Sequence, residues 1–378
     1  MTQAPPPDDL TMQRSSRDVT ALPGRIAGWL TTQLPRDADP AVDLLATVDA
    51  NGLSSETLPL DVTWTRGGRR RAEKYVARLA PAPGDLPVFP GYALREQYDV
   101  MRILGERSSV PVPKVRWIEP SGDVVGTPFF LMDRIEGEVP PDVMPYNFGG
   151  NWLFDATPEQ QRRLQDTTVD VLARIHGVPD APTVFGFLDR GRTEPTPLAR
   201  DLARNREWYE YAVRDIGRSP LVERALGWLE AHVPGPGECS ESVLSWGDSR
   251  IGNVMYRDFE PVGVLDWEMA TVGPRELDVS WLVFAHQVFE SITGLLGMPG
   301  MPHFLREDDV VAAYQRRTGV ELGPLQWFHL RNAAQWCIVF MRTGARQIHF
   351  GEIERPDDIE TLMHSKPLTE RLLDEVGA

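Results

Sequence analysis

Three oxygen-bearing side chains occur at a spacing suited to phosphate chemistry. Asp248 and Asn253 lie in Ser245-Trp246-Gly247-Asp248-Ser249-Arg250-Ile251-Gly252-Asn253, and Asp266 follows a short apolar hairpin in Val264-Leu265-Asp266-Trp267-Glu268. Moving the γ-phosphoryl of ATP needs a group that orients the accepting hydroxyl and takes its proton. It also needs oxygen ligands that hold Mg²⁺ on the phosphates. Mg²⁺ prefers carboxylate and amide oxygens and keeps several waters. An Asp in a tight loop, an Asn five positions on and an Asp after a hairpin meet those needs, with Asp248 as base and Asn253 and Asp266 facing one metal ion. A Gly-Asp pair alone is an ordinary turn, and Asp266 alone an ordinary helix cap. Their conjunction, downstream of a strand-rich segment, carries the reading.

Periodicity shows which elements must hold this set. Residues 22–34 are helical in pattern, then 43–48, 58–64 and 73–79 read as strands, 92–105 as a helix with Leu94, Tyr98, Met101 and Leu104 on one face, and 114–119 and 128–135 as two more strands. Residues 1–20, Pro-rich at the start, read as a disordered tail. Residues 21–136 therefore spell a small antiparallel sheet with one packed helix. From 137 to 378 the pattern is mainly helical. Thr157-Pro158-Glu159-Gln160 is a capping box with proline at the first helical position, and further helices are expected near 197–213, 219–232, 276–291, 306–317, 324–347 and 357–376. Short strands are expected at 243–244, 254–256 and 262–265. The fold class is α+β: a sheet lobe for the nucleotide and a larger helical lobe for catalysis and the acceptor.

Bulk properties narrow the partners. The chain has 378 residues, beyond the ~250–300 at which single cores stop growing. Its net charge of −16 argues against nucleic acid and anionic membrane surfaces and would draw in a cationic substrate; the small-molecule hydroxyl compound expected as partner follows from the phosphotransfer reading. No basic-then-apolar leader is read at the N-terminus, and no apolar run reaches the ~18 residues of a spanning helix. The two cysteines, Cys239 and Cys337, form no disulfide or zinc framework. A reducing, cytoplasmic setting is expected; oligomeric state is not specified. Lys74, Lys114 and Lys366 are the only lysines, so few can serve a phosphate-holding role.

Gly247-Asp248-x-x-x-x-Asn253 followed by Asp266-Trp267-Glu268 resembles the aminoglycoside phosphotransferase/choline kinase-like family, whose fold is the two-lobed protein-kinase-like one. The likeness runs from about residue 43 to 282. Gly126-Thr127-Pro128-Phe129-Phe130-Leu131-Met132 and Leu172-Ala173-Arg174-Ile175-His176 are similar to the branch also found fused to acyl-CoA dehydrogenases. The resemblance implies an ATP- and Mg²⁺-dependent kinase acting on an aminoglycoside-like or metabolic hydroxyl. It places Arg78 of Tyr75-Val76-Ala77-Arg78 on the phosphates, with Lys74 the second choice and Glu96 its brace. It puts Ser54 and Ser55 over the phosphates and Met132, Asp133 and Ile135 around the adenine. Asp278 is implied to brace the catalytic loop, with His176 a structural residue beneath it. Tyr146, Asn147 and Trp152, in a polar, aromatic and Gly-rich segment, are read as acceptor-side residues, and Glu268 joins them. Trp246 stands where the family usually has His. With the unusual Arg78 it motivates the competing reading, a non-catalytic nucleotide-binding scaffold.

Overall fold

In the second strand every other residue is buried, from Leu58 through Leu60 and Val62 to Trp64, the period-two signature of a sheet with one face on a core. The computed structural model describes residues 15–45, 55–142 and 144–378. In its first part a helix α1 (Leu22–Gln33) precedes β1 (Ala41–Leu44), β2 (Glu56–Arg66) and β3 (Arg69–Leu79). Helix α2 (Leu94–Arg107) follows, then β4 (Val115–Glu119) and β5 (Phe129–Asp133). The sheet is antiparallel in the order β1-β2-β3-β5-β4. Strand β5 shows how it is covered on both faces. Phe129 and Leu131 join the core under α1, where Trp29 meets Phe129 edge-on at 4.8 Å. Phe130 and Met132 join the core shared with α2 and the helical part. Arg78 follows Val76 by period two, so it lies on the α2 side, toward the rest of the molecule.

That remainder contains α3 (Pro158–His176), α4 (Ala181–Val184), α5 (Pro197–Ile216), α6 (Pro220–Ala231), α7 (Glu276–Leu296), α8 (Glu307–Thr318), α9 (Gln326–His349) and α10 (Lys366–Glu375). Between α6 and α7 run β6 (Ser242–Ser245), β7 (Val254–Arg257), β8 (Glu260–Val264) and β9 (Thr271–Pro274). The capping box at Thr157 forms on both sides, and Thr196 and Ser219 cap α5 and α6 through Ala199 N and Val222 N. Among the described residues α7 is long and apolar enough to cross a membrane by length and composition; here most of it is buried core. The two parts are stitched at residues 87–89. Trp208 Nε1 donates to the Val88 carbonyl at 2.8 Å, Arg342 Nη2 donates to the Pro87 carbonyl at 2.8 Å, and Phe89 stacks on Trp208.

Four expectations need correcting. Strand β9 is not among the expected strands, yet all four residues Thr271-Val272-Gly273-Pro274 are buried and pair with β6. The C-terminal helix is split, with a single turn at Ile359–Leu362 and α10 starting beside Pro367, which cannot donate to a helix running through it. The first strand is displaced to Ala41–Leu44, and part of the expected 43–48 lies outside the described residues. Residues 15–20 are not a loose tail. Arg17 donates to Glu56, to the Ala80 and Val125 carbonyls and to Thr127, while Ser16 bonds Asp85.

Candidate active site

The loop after β6 is shaped by its glycine. Gly247 has φ +89°, and a Cβ there would run into the Met269 backbone, so only glycine fits before Asp248. Under the loop sits Asp278 at the start of α7, fully buried. Its carboxylate accepts from Ser245 Oγ (2.8 Å), the Trp246 N–H (2.7 Å), the Gly247 N–H (2.8 Å) and His176 Nε2 (2.9 Å). Its own carbonyl takes Ser249 Oγ at 2.7 Å. His176 Nδ1 meets the Tyr314 hydroxyl at 2.7 Å. A buried carboxylate is tolerated because hydrogen bonds replace its hydration. The roles expected of Asp278 and His176 agree with these contacts.

Asp248 is held by three donors. Trp281 Nε1 reaches Oδ1 at 2.7 Å, Asn253 Nδ2 reaches Oδ2 at 2.7 Å, and Arg250 Nε lies 3.1 and 3.2 Å from the two oxygens. Arg250 also makes a close ion pair with Asp142. Burial pushes the Arg250 pKa down, but Asp142 and Asp248 outweigh it and hold the guanidinium charged. Asn253 spends its amide nitrogen on Asp248, and its amide oxygen is the atom of that side chain that could serve a metal ion. Trp281 and Asp142 were not read from the sequence: each meets the loop across a long separation and belongs to no local motif.

Asp266 follows β8 with φ +59°, a left-handed conformation uncommon for a residue with a side chain and met where surroundings impose it. The surroundings include Trp246, whose indole Nε1 donates to the Leu265 carbonyl at 2.8 Å and the Asp266 carbonyl at 3.1 Å. The indole thus supplies a ring N–H that ties the catalytic loop to the Asp266 loop. From the sheet, Arg78 Nη2 reaches Asp266 Oδ1 at 2.5 Å and Glu268 Oε2 at 3.2 Å. Burial opposes the Arg78 charge, and Asp266 followed by Glu268 more than restores it. Two assignments change here. The brace on Arg78 is Gln97, whose Oε1 accepts from Nε at 3.1 Å, in place of Glu96, which lies one helical position round. Glu268, expected on the acceptor side, pairs with Arg78 of the sheet. Lys74 is exposed and paired with Glu136 at 3.1 Å, so of the two sheet cations Arg78 is the one beside Asp266.

Of the remaining expected nucleotide residues, Ser54 lies outside the described residues and Ser55 is buried just before β2. Met132 is buried on the α2 side of the sheet. Asp133 spends its N–H on the Lys114 carbonyl and its carboxylate on Arg116 at 2.6 and 2.8 Å. Ile135, whose N–H has no acceptor among the described residues, packs against Gly263 of β8. Of the expected acceptor residues, Tyr146 and Asn147 are buried and Trp152 is half-buried. Tyr146 donates its hydroxyl to His286 Nδ1 (2.8 Å), Asn147 Nδ2 donates to Glu290 Oε1 (2.7 Å), and Trp152 packs on Tyr256 and Phe259 behind the β7–β8 hairpin. A cavity of about 680 Å³ lies away from Asp248, between the C-terminal ends of α2, α3 and α8. Its two arginines are already engaged, Arg174 with the Ser109 carbonyl just past α2 and Arg317 with Asp170.

Among the described residues no cluster of three or more His, Cys, Asp or Glu side chains can hold a metal by itself. A pair such as Asp266 and Asn253 fits an ion that takes its other ligands from phosphates and water, as Mg²⁺ does.

The sequence profile described as the phosphotransferase enzyme family matches residues 60–328. This chain belongs to that family. Among curated proteins, one from Arabidopsis thaliana assigned as the acyl-CoA dehydrogenase IBR3 is 28% identical over 279 residues, 68% of this chain and 31% of its own length. Acyl-CoA dehydrogenase family member 10 of Mus musculus is 27% identical over 226 residues, 59% of this chain and 19% of its own. The chain thus spans about a third or less of the length of these relatives. Among solved structures, a Ralstonia eutropha protein assigned as an aminoglycoside phosphotransferase aligns with TM-score 0.63 at 19% identity, covering 93% of this chain and 97% of the other. Aminoglycoside phosphotransferase APH(4)-Ia, in ternary complex with ADP and hygromycin B, aligns at 0.51 and 13%, covering 93% and 99%. These likenesses fix the architecture of this phosphotransferase family member as the two-lobed, protein-kinase-like α+β fold.

Proposed function

We propose that this phosphotransferase uses ATP with Mg²⁺ and transfers the γ-phosphoryl to a hydroxyl of a small molecule with an apolar body. The observation that carries this reading is the convergence of Asp248, Asn253 and Asp266 from one lobe with Arg78 from the other. Asp248 orients the acceptor hydroxyl and takes its proton, and Trp281 and Asn253 fix its carboxylate in place. Arg78, released from Asp266 when nucleotide enters, bridges phosphate oxygens with its planar fork. Mg²⁺, held by Asp266 and Asn253 Oδ1, would neutralise charge on the phosphates.

Beside Asp248 begins a run of aromatic rings, which we read as the acceptor side. From Trp281, the partner of Asp248, a wall runs to Trp336 (6.1 Å between rings) and on to Phe289 (6.0 Å) and Phe340 (5.8 Å). Such a wall suits an apolar body better than a polycationic sugar. The curated relatives are named for acyl-CoA dehydrogenases, so hydroxyacyl thioesters are the first acceptors to try and aminoglycosides the second. The non-catalytic reading loses one of its two motives, because Trp246 keeps a ring N–H where it ties the two loops together.

ADP formation against both acceptor panels tests the proposal, with Asp248→Asn as control. Loss of a positioned base lowers kcat by about 10²–10⁴-fold while ATP affinity holds. A variant turning over at the wild-type rate removes Asp248 from the mechanism.

A further inference from the structure

The donors on Asp248 are not equivalent. Trp281 and Asn253 each make a short bond to one oxygen. Arg250 spans both oxygens at longer range and carries a second anchor, Asp142. Its Nη2 donates to nothing among the described residues, and its side chain keeps 20% exposure beside a base with 15%. The local sequence is fitted to this arrangement. A Cβ on Gly252 would collide with the Asp142 carboxylate and the Arg250 guanidinium, so glycine leaves the room the pair occupies. Asp142 Oδ1 has no hydrogen-bond partner, which leaves the ion pair with Arg250 as the main use of that carboxylate.

We infer that Arg250 is a second catalytic residue, a guanidinium that meets the equatorial oxygens of the phosphoryl group in transit, held in position by Asp142. The inference rests on the phosphotransferase reading above. In the step it serves, the acceptor oxygen forms a bond to phosphorus and the β,γ-bridging oxygen leaves with the electron pair as ADP. The acceptor proton passes to Asp248. Negative charge on the equatorial oxygens must be met by donors already in place. Arg250 can swing from Asp248 toward them without becoming an uncompensated buried charge, because Asp142 stays with it. The same movement frees both Asp248 oxygens of a cationic donor as the proton arrives.

A structural clamp tying residues 141–152 to the loop would show the same resting contacts, so the test must separate transition-state from ground-state binding. Calorimetry with ADP, Mg²⁺ and aluminium fluoride, a mimic of the phosphoryl in transit, is compared with ADP and Mg²⁺ alone. The wild type should gain affinity with fluoride. Arg250→Met should forfeit about 10²-fold of that gain, the scale set by removing one transition-state donor, while its affinity for ADP with Mg²⁺ stays near wild type. Arg250→Lys and Asp142→Asn should forfeit part of it. An Arg250→Met protein that keeps the full gain overturns the inference and leaves the phosphotransferase reading standing. A wild type that fails to bind ADP with Mg²⁺ sinks both. If Arg250→Met does not fold, Asp142→Asn decides, and an undiminished gain there counts against the proposal.

Discussion

The floor and the roof of the cleft solve the same problem, buried charge, in opposite ways. On the floor, Asp278 is satisfied by backbone N–H groups, a serine and a histidine within one lobe. On the roof, Arg78 of the sheet lobe is satisfied by Asp266 and Glu268 across the cleft. The floor asks nothing of a ligand and sets the shape of the catalytic loop. The roof consists of charges that neutralise one another, so nucleotide and metal can take the place of either partner. One region gives rigidity, and the other gives a response to binding.

If the floor is structural, breaking it should cost stability above all. Asp278→Ala strands two backbone N–H groups, a serine and a histidine. It should lower unfolding free energy by at least about 3 kcal/mol, since each buried donor left unpaired costs about 1–3 kcal/mol. Asp278→Asn should fall between. Urea unfolding measures both, and a variant as stable as wild type would show that the loop holds itself.

A second lock on the helical lobe can be reached by pH. His286 is buried between Tyr146 and the Met301 carbonyl, with Nε2–H donating to the carbonyl and Nδ1 accepting from the tyrosine. Burial pushes its pKa down to about 4 from 6.5. Below 6.5 the unfolded chain binds this proton and the folded one does not. The neutral-histidine contribution is therefore complete above pH 6.5 and drains away as pH falls toward 4, by about 3 kcal/mol in all. His286→Gln should flatten that part of the stability–pH curve relative to wild type. Parallel curves would show the histidine titrating normally. The smallest effect is expected at the seam between floor and roof. Trp246→Phe removes one ring donor and should cost about 1 kcal/mol, with turnover down by about tenfold, whereas Trp246→His restores a ring N–H and should recover much of it. No difference between Phe and His would dismiss the indole N–H as the joining element.

Which contacts were legible follows from sequence distance. Asp248 and Asn253 share one loop, so their spacing states their relation directly, and the hairpin β7–β8 fixes where Asp266 returns. Arg78 follows from strand alternation, yet its brace does not. Each residue on a helix turns by ~100°, and Gln97 falls on the buried face of α2 with Leu94, Met101 and Leu104, so it meets the strand where Glu96 was expected. Trp281 and Asp142 reach Asp248 and Arg250 only once the chain is folded. Tyr146 and Asn147 have the composition of a binding loop, but the Tyr146 hydroxyl and the Asn147 amide nitrogen are taken by His286 and Glu290. Composition records the need for hydrogen bonds and not who supplies them.

Under the proposed function, Asp266 would exchange Arg78 for a metal-bound nucleotide. Calorimetry of ATP with and without Mg²⁺, on the wild type and on Asp266→Ala, tests it directly. The wild type should bind ATP more tightly with Mg²⁺, by about tenfold or more, as expected when a carboxylate helps hold the ion on the phosphates. Asp266→Ala should bind equally with and without the ion. A variant that keeps the wild-type Mg²⁺ dependence would contradict the account and reduce Asp266 to the residue that turns the chain after β8.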